Sequence, residues 1–231
     1  MAQLENIKDM KLIRDRVYDL LRHEILVGGF APGSQLNILN ISKQMGVSCA
    51  PVREALNKLS KDGLVELIPY KKPIVADGTD EEYNEAFELR LMLEPYALIH
   101  AVDSIPDEEI NEMMLLLEKM CKEPGTLTDF CDLDMSFHRI LYSHASFKFL
   151  VSTVESLRFS TMRYYAKRFE DIVKEKRKMY QDESYTAERC IIEQTKEHIT
   201  ILEAVKQRDA QLAAMLLREH ISDASSSTCK R

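Results

Sequence analysis

Residues 47–65, VSCAPVREALNKLSKDGLV, can fold in very few ways. Ser48 is the predicted N-cap, since its hydroxyl can accept a hydrogen bond from an orphan amide of the first turn. Pro51 falls inside that turn, where a missing N–H costs nothing. Val52, Ala55, Leu56 and Leu59 recur at helical spacing on one face. Gly63 ends the helix as a left-handed C′ residue. Ahead of it, Asn37 to Met45 reads as a shorter helix capped by Asn37, and Gly46 makes the turn between the two. After Gly63 the period changes, and residues 64–68 and 73–76 read as two strands around the tip Pro69-Tyr70-Lys71-Lys72.

The face of the second helix opposite the apolar one carries Arg53, Asn57, Lys58 and Lys61. A short capped helix with a cationic, amide-bearing face suits a DNA major groove. A hairpin with two lysines at its tip suits the phosphate backbone. Ser48, Cys49, Ala50, Arg53, Asn57, Lys58, Lys71 and Lys72 are therefore the candidate DNA contacts. The plainer reading is a small helical domain whose charged faces are solvated.

The rest of the chain is organised around this unit. A first helix is predicted over residues 9–27, stopped by Gly28-Gly29, with Pro32-Gly33 turning the chain. Asp77-Gly78-Thr79 is the expected linker, and Thr79 with Glu82 three residues on is a capping-box signature. Helices are predicted near residues 80–103, 107–121, 126–144, 147–169, 171–180, 184–207 and 210–224, with no period-two alternation among them. The expected fold is mostly α. A winged helix-turn-helix domain with a small β-hairpin occupies residues 1–78, and an all-α antiparallel bundle occupies 79–231. The last seven residues, 225–231, are polar and expected to fray.

Charge supports the division. The net charge of −7 looks wrong for a DNA binder. Residues 1–78, however, carry a net +2 and residues 79–231 a net −9. Phosphate would repel the second domain while the first docks. Five cysteines at positions 49, 121, 131, 190 and 229, with no CxxC, imply free thiols in a reducing cytoplasm rather than disulfides or a thiolate zinc site. No apolar run approaches the length of a membrane span, and the charged N-terminus lacks the apolar core of a secretory signal.

The second domain contains a candidate metal constellation. Asp134 and His138 lie four apart, which puts a carboxylate and an imidazole one turn apart on one helical face. His198 lies before, and His220 after, the turn expected near residues 207–209. In antiparallel neighbours both imidazoles would stand roughly 15 Å from that turn, at about 1.5 Å per residue. One carboxylate and three imidazoles in a bundle core suit a borderline divalent cation. A lone histidine on an amphipathic helix is more commonly a satisfied core residue, so spacing alone leaves both readings open. His23, His100 and His144 are read as structural or surface residues.

Two stretches, LRHEILVGGFAPGSQL and ISKQMGVSCAPVREALNKLSKDGLVELIP, resemble the winged helix of the gluconate-repressor-type (GntR) regulators over the first third of the chain. Two departures stand out. The arginine usual after the Val-Ser pair is Cys49 here, and the usual wing-tip glycine is Lys72. Cys49 cannot make a bidentate bond to guanine, so Arg53 must carry more of the base reading. Residues 80–103 resemble the opening of the ligand-binding domain called FCD, which accompanies this winged helix in the FadR subfamily. DMSFHRIL, EHITILEAVKQRDAQLA and MLLREHI match further motifs of that domain. The resemblance implies Asp134, His138, His198 and His220 as metal ligands. Arg90 and Arg158 match basic positions of that pattern and are the candidates for a guanidinium clamp on an anionic effector, and Thr161 and Tyr165 are read as further lining residues of the pocket.

Together, motifs and resemblance imply a homodimeric, cytoplasmic transcription factor, not an enzyme, acting as a repressor on double-stranded operator DNA. A small organic acid or sugar acid would bind at a divalent metal, zinc in a purified sample, with nickel or manganese as alternatives. A metal-dependent hydrolase with a DNA-binding appendage is the first rival, but no HExxH motif supplies a base beside the metal. Glu197, next to His198, points about 100° away from it on a helix. A purely structural metal bundle is the second rival.

Overall fold

The computed structural model describes residues 7–26, 28–77 and 79–226. The chain divides between Gly78 and Thr79 into two compact units. In the first, α1 (Ile7–Leu26), α2 (Ile38–Met45) and α3 (Cys49–Lys61) precede β1 (Val65–Glu66) and β2 (Ile74–Val75). The second contains α4 (Asp80–Ala101), α5 (Asp107–Lys122), α6 (Leu127–Ser143), α7 (Lys148–Tyr180), α8 (Ala187–Lys206) and α9 (Ala210–Ser226). Val27, Gly78 and the tail beyond Ser226, where a helix end, part of a linker and a frayed terminus were expected, lie outside the described residues.

Local chemistry sets the element ends in the first unit. Asn37 caps α2, its side-chain oxygen accepting from the amides of Leu39 and Asn40. Gly46 closes α2 at φ 65°, and Gly63 follows α3 at φ 70°, both in the left-handed region that glycine enters without steric cost. Ser48 is extended and opens α3, but its side chain makes no capping bond. A capping hydroxyl accepts from the amide two or three residues into the helix, and the third here is Pro51, which has none. Val52, Ala55, Leu56 and Leu59 are buried as the periodicity requires. On α1, Val17, Leu21 and Ile25 are buried, whereas Ile13 and Leu20 are exposed. The Tyr18 hydroxyl donates to Asp62 at 2.6 Å, and the Lys58 ammonium sits 3.7 Å over the Tyr18 ring, tying α1 to α3.

The wing is shorter than expected and has an additional partner. Val65 pairs with Val75 and Glu66 with Ile74. Residues 33–36 then pair with the other edge of β2, through Gly33 N–H to Val75 O, Val75 N–H to Ser34 O and Leu36 N–H to Pro73 O. At the tip, Tyr70 rather than residue 72 takes the left-handed conformation, at φ 63°.

In the second unit, Thr79 and Glu82 form the capping box that opens α4, and Thr126 and Asp129 form another that opens α6. α4 runs unbroken through Pro95 and packs against α6, α7 and α9, while α5 lies on α8 and α8 on α9. α7 is one 33-residue helix, where two were expected. No glycine or proline interrupts it, and the Asp171 carboxylate is met by Lys174 one turn on. The core runs through all six helices, with Phe137, Leu98, Leu117, Leu202 and Leu217 at its centre.

Leu59 is fully buried at the centre of the first unit. Leu59→Ala should destabilise that unit by about 2–5 kcal/mol in urea denaturation. A loss below about 1 kcal/mol would mean that α3 does not anchor this core.

Candidate metal centre and DNA-facing surface

Four side chains from three helices converge in the bundle. Asp134 and His138 come from α6, His198 from α8 and His220 from α9. One potential ligand atom from each lies within 4.8 Å of all the others, and all four residues are buried. His198 Nε2 is 3.1 Å from His220 Nε2 and 3.4 Å from an Asp134 oxygen. His138 Nε2 is 3.7 Å from that same oxygen. Phe137 stacks on His198 at 4.2 Å between centroids, and Phe130 lies parallel to it at 6.3 Å. These rings fix the His198 plane.

A second layer of groups holds the first. His138 Nδ1 lies 2.7 Å from Glu94 Oε2, and His220 Nδ1 lies 2.7 Å from Glu197 Oε2. A carboxylate can only accept, so each Nδ1 carries the proton and each Nε2 presents a bare lone pair to the centre. Carboxylates orient metal-binding histidines in this way. The other Glu94 oxygen accepts from Arg90 Nε at 2.5 Å, and Arg90 Nη1 donates to the Thr161 hydroxyl at 3.1 Å. Asp134 is divided similarly. Its Oδ1 faces the imidazoles, while its Oδ2 accepts from Arg158.

Electrostatics follows from burial and pairing. Burial opposes ionisation of Asp134, but Arg158 and His138 outweigh it and hold the carboxyl well below its usual range. Glu94 is lowered likewise, burial being outweighed by Arg90 and His138. Burial, reinforced by Arg158, pushes His138 down, and burial above all pushes His198 down to about 4. At neutral pH the centre therefore holds two carboxylates, Asp134 and Glu94, and the uncharged imidazoles of His138 and His198.

The donor set fits a divalent cation. His138 Nε2 is fully buried and has no hydrogen-bond partner. An orphaned acceptor of this kind costs about 1–3 kcal/mol unless something meets it. Two inward lone pairs, a carboxylate oxygen and a third imidazole have no proton to share among them that would satisfy all four. Cation–ligand bonds of about 2.0–2.2 Å require only a modest contraction of the observed separations.

Over this cluster lies a narrow cavity lined by Arg90, Asp134, Arg158, Thr161, Tyr165 and Gln194, among others. All four residues expected of an effector pocket thus face one space, and Arg90 and Arg158 are 5% and 1% exposed rather than surface ion-pairing groups. Its volume of about 30 Å³ is room for roughly two waters. An organic acid must displace side chains to enter. Sequence reading missed Glu94, Glu197 and Gln194. Glu94 was detectable one turn beyond Arg90. Glu197 does point away from His198, its neighbour in sequence, but it reaches His220.

In the first unit, Cys49, Arg53, Lys71 and Lys72 line one groove between the start of α3, the start of α2 and the wing tip. Arg53, Lys71 and Lys72 are exposed. Cys49 is half-buried, with its sulfur 3.5 Å from the Ser42 hydroxyl. Ser48, Ala50, Asn57 and Lys58 are exposed but do not line this groove, and the Lys58 ammonium is engaged on Tyr18.

Similarity to known proteins agrees with this architecture. Residues 85–223 match the FCD domain, and residues 13–71 match the bacterial regulatory proteins of the gntR family. The HTH-type transcriptional regulator McbR of Escherichia coli (strain K12) is 27% identical over 139 residues, covering 59% of this chain and 63% of McbR, less than two thirds of its length. The HTH-type transcriptional repressor RspR of the same organism is 25% identical over 217 residues, or 93% of this chain and 88% of RspR. The solved structure of E. coli McbR/YncC superposes with a TM-score of 0.70 at 22% identity, covering 91% of this chain and 94% of that one, and so shares the fold. No helix among the described residues is long and apolar enough to cross a membrane. The chain belongs to the gntR family of bacterial regulatory proteins, as a DNA-binding transcriptional regulator that carries an FCD domain.

Proposed function

We propose that this regulator is a cytoplasmic homodimeric repressor whose grip on its operator is set by a small carboxylate bound at a divalent metal in the helical unit. The observation that carries this reading is the convergence of Asp134, His138, His198 and His220 beneath a cavity lined by two buried arginines. A cation held by these four residues, zinc in a purified sample, with nickel or manganese as alternatives, would offer open coordination positions to an oxygen anion. The chain's own contribution is to orient the imidazoles through Glu94 and Glu197, to hold Asp134 through Arg158, and to line the cavity with polar groups. The cavity also favours a sensor over a purely structural metal bundle, which needs no lined space beside its ligands. Glu197 is committed to His220, which weighs against a hydrolase using it as a free base.

Elemental analysis of protein purified without chelator should find about one divalent ion per chain. His198→Ala and His220→Ala should each weaken binding strongly, and chelation of the wild type should lower its melting temperature, because the ion binds only the folded state. Full occupancy in the double variant would refute the site.

On DNA, Arg53 is proposed to read base edges and Lys71 and Lys72 to meet phosphates, with Ser48, Cys49, Ala50, Asn57 and Lys58 as flanking contacts. Two half-sites at a fixed spacing need two heads, hence the dimer. Arg53→Ala should cost about 1–3 kcal/mol at the specific operator, whereas Lys71→Ala or Lys72→Ala should weaken specific and non-specific binding alike and reduce the salt slope by about one. Unchanged operator affinity in Arg53→Ala would put the wrong helix in the groove.

A carboxylate entering a cavity with room for so little must shift side chains on α4, α6, α7, α8 and α9. Packed cores respond to such intrusion by small helix movements rather than by local compression. In a dimer held through this unit, those movements would alter the separation of the two DNA-binding heads. Acid and operator should therefore oppose each other by about 1–3 kcal/mol, reciprocally. The check is operator affinity with and without candidate carboxylates, in wild type and in His138→Ala. An equal effect in both would place the coupling outside this centre.

A further inference from the structure

The charge around the cavity restricts which acid can fill it. Arg90, Glu94, Asp134 and Arg158 are each at most 5% exposed. They pair off, Arg90 with Glu94 and Arg158 with Asp134, so two positive and two negative charges cancel. The three imidazoles contribute none when their lone pairs face inward. A divalent cation would therefore take the buried charge from zero to +2. Glu197 stands outside this count. Its side chain is 42% exposed, and it lines a separate depression with Glu219 and Asp223 on the other side of His220. Water screens it there far better than it screens the buried pairs.

Burying uncompensated charge is costly, and a single carboxylate would leave half of it unmet. A second observation points the same way. Arg158 Nε is fully buried and has no hydrogen-bond partner, although the same guanidinium donates to Asp134 through Nη2. A buried, charged donor left over at the wall of a cavity calls for an acceptor inside it. The pocket thus makes two separate demands for anionic oxygen, one at the cation and one at Arg158 Nε.

We propose that the ligand of this cavity is a small dianion of the dicarboxylate class, one carboxylate completing the cation's coordination and the other accepting from Arg158. This rests on the metal–carboxylate reading of the site and narrows it. It also makes cation and dianion load cooperatively, since each supplies the charge that the other lacks.

The test is calorimetric titration of the zinc-loaded full chain with malonate and succinate, alongside their monoamides, malonamate and succinamate. Each monoamide keeps the shape of its parent and loses one charge. Each should bind at least about tenfold more weakly than its parent, as expected for loss of a charge-assisted hydrogen bond to a buried guanidinium. Zinc-stripped protein should bind both dianions at least about tenfold more weakly, and the dianions should slow zinc loss to a chelator. A monoamide binding as tightly as its parent would overturn the dianion and leave a carboxylate at the metal standing. No binding by any of the four, with zinc loss unaffected, would overturn both.

Discussion

The buried carboxylate of Glu94 is the interaction on which the helical unit turns. One oxygen takes the Arg90 Nε–H and the other the His138 Nδ1–H. One side chain on α4 thereby fixes a guanidinium at the cavity and the tautomer of an imidazole on α6. Asp134 repeats the device, with one oxygen toward the imidazoles and one on Arg158. Such pairs are weak evidence of stability, because desolvating four charges costs about as much as their attraction returns, and apolar residues of similar volume would hold a bundle as well or better. Their value is positional. In a network linked in this way, moving Glu94 or Asp134 leaves a buried guanidinium or imidazole without its carboxylate. A disturbance at the cavity is thus transmitted to the imidazoles instead of being absorbed.

The two units use charge in opposite ways. In the first, Arg53, Lys71 and Lys72 are exposed on α3 and the wing, and exposed cations can trade water and counterions for phosphate. In the second, they are buried and already committed to carboxylates. The division of net charge, +2 against −9, reinforces the contrast. A strongly acidic helical unit gains nothing from approaching a duplex, so only the small basic unit is drawn to it.

Much of this was legible in sequence because its causes are local. Asn37, Gly46, Gly63 and the Thr79–Glu82 box act within a turn of their own position, and the structure has them where the sequence puts them. The four candidate ligands were readable from an i,i+4 spacing, a turn-symmetric pair and a family resemblance. The misses share a different cause. The Ser48 cap fails because of Pro51, a residue judged harmless for its own amide but not for the cap that would have used it. The pairing of residues 33–36 with β2 is non-local, and no short-range pattern announces it. Glu94 and Glu197 look like ordinary acids of amphipathic helices. Only the fold shows that the first is 1% exposed and that the second reaches a histidine on the neighbouring helix.

The meeting of His198 and His220 depends in turn on the hairpin that joins α8 to α9. Sequence spacing can place two imidazoles at equal height, but their rings face each other only if the turn has a fixed shape. Arg208 supplies it. It is held at φ 57°, a left-handed conformation that costs a non-glycine residue about 1–2 kcal/mol. The strain persists because the guanidinium is engaged on three sides. It donates to the carbonyls of Val102 and Ile105, just past the end of α4, and to the Asp107 carboxylate at the start of α5. Charge-assisted bonds of this kind offset the backbone cost. They also pin the α8–α9 turn to the helix that carries Arg90 and Glu94. The register that brings the two imidazoles to 3.1 Å is therefore set at the far end of the hairpin, against the helix that orients the third.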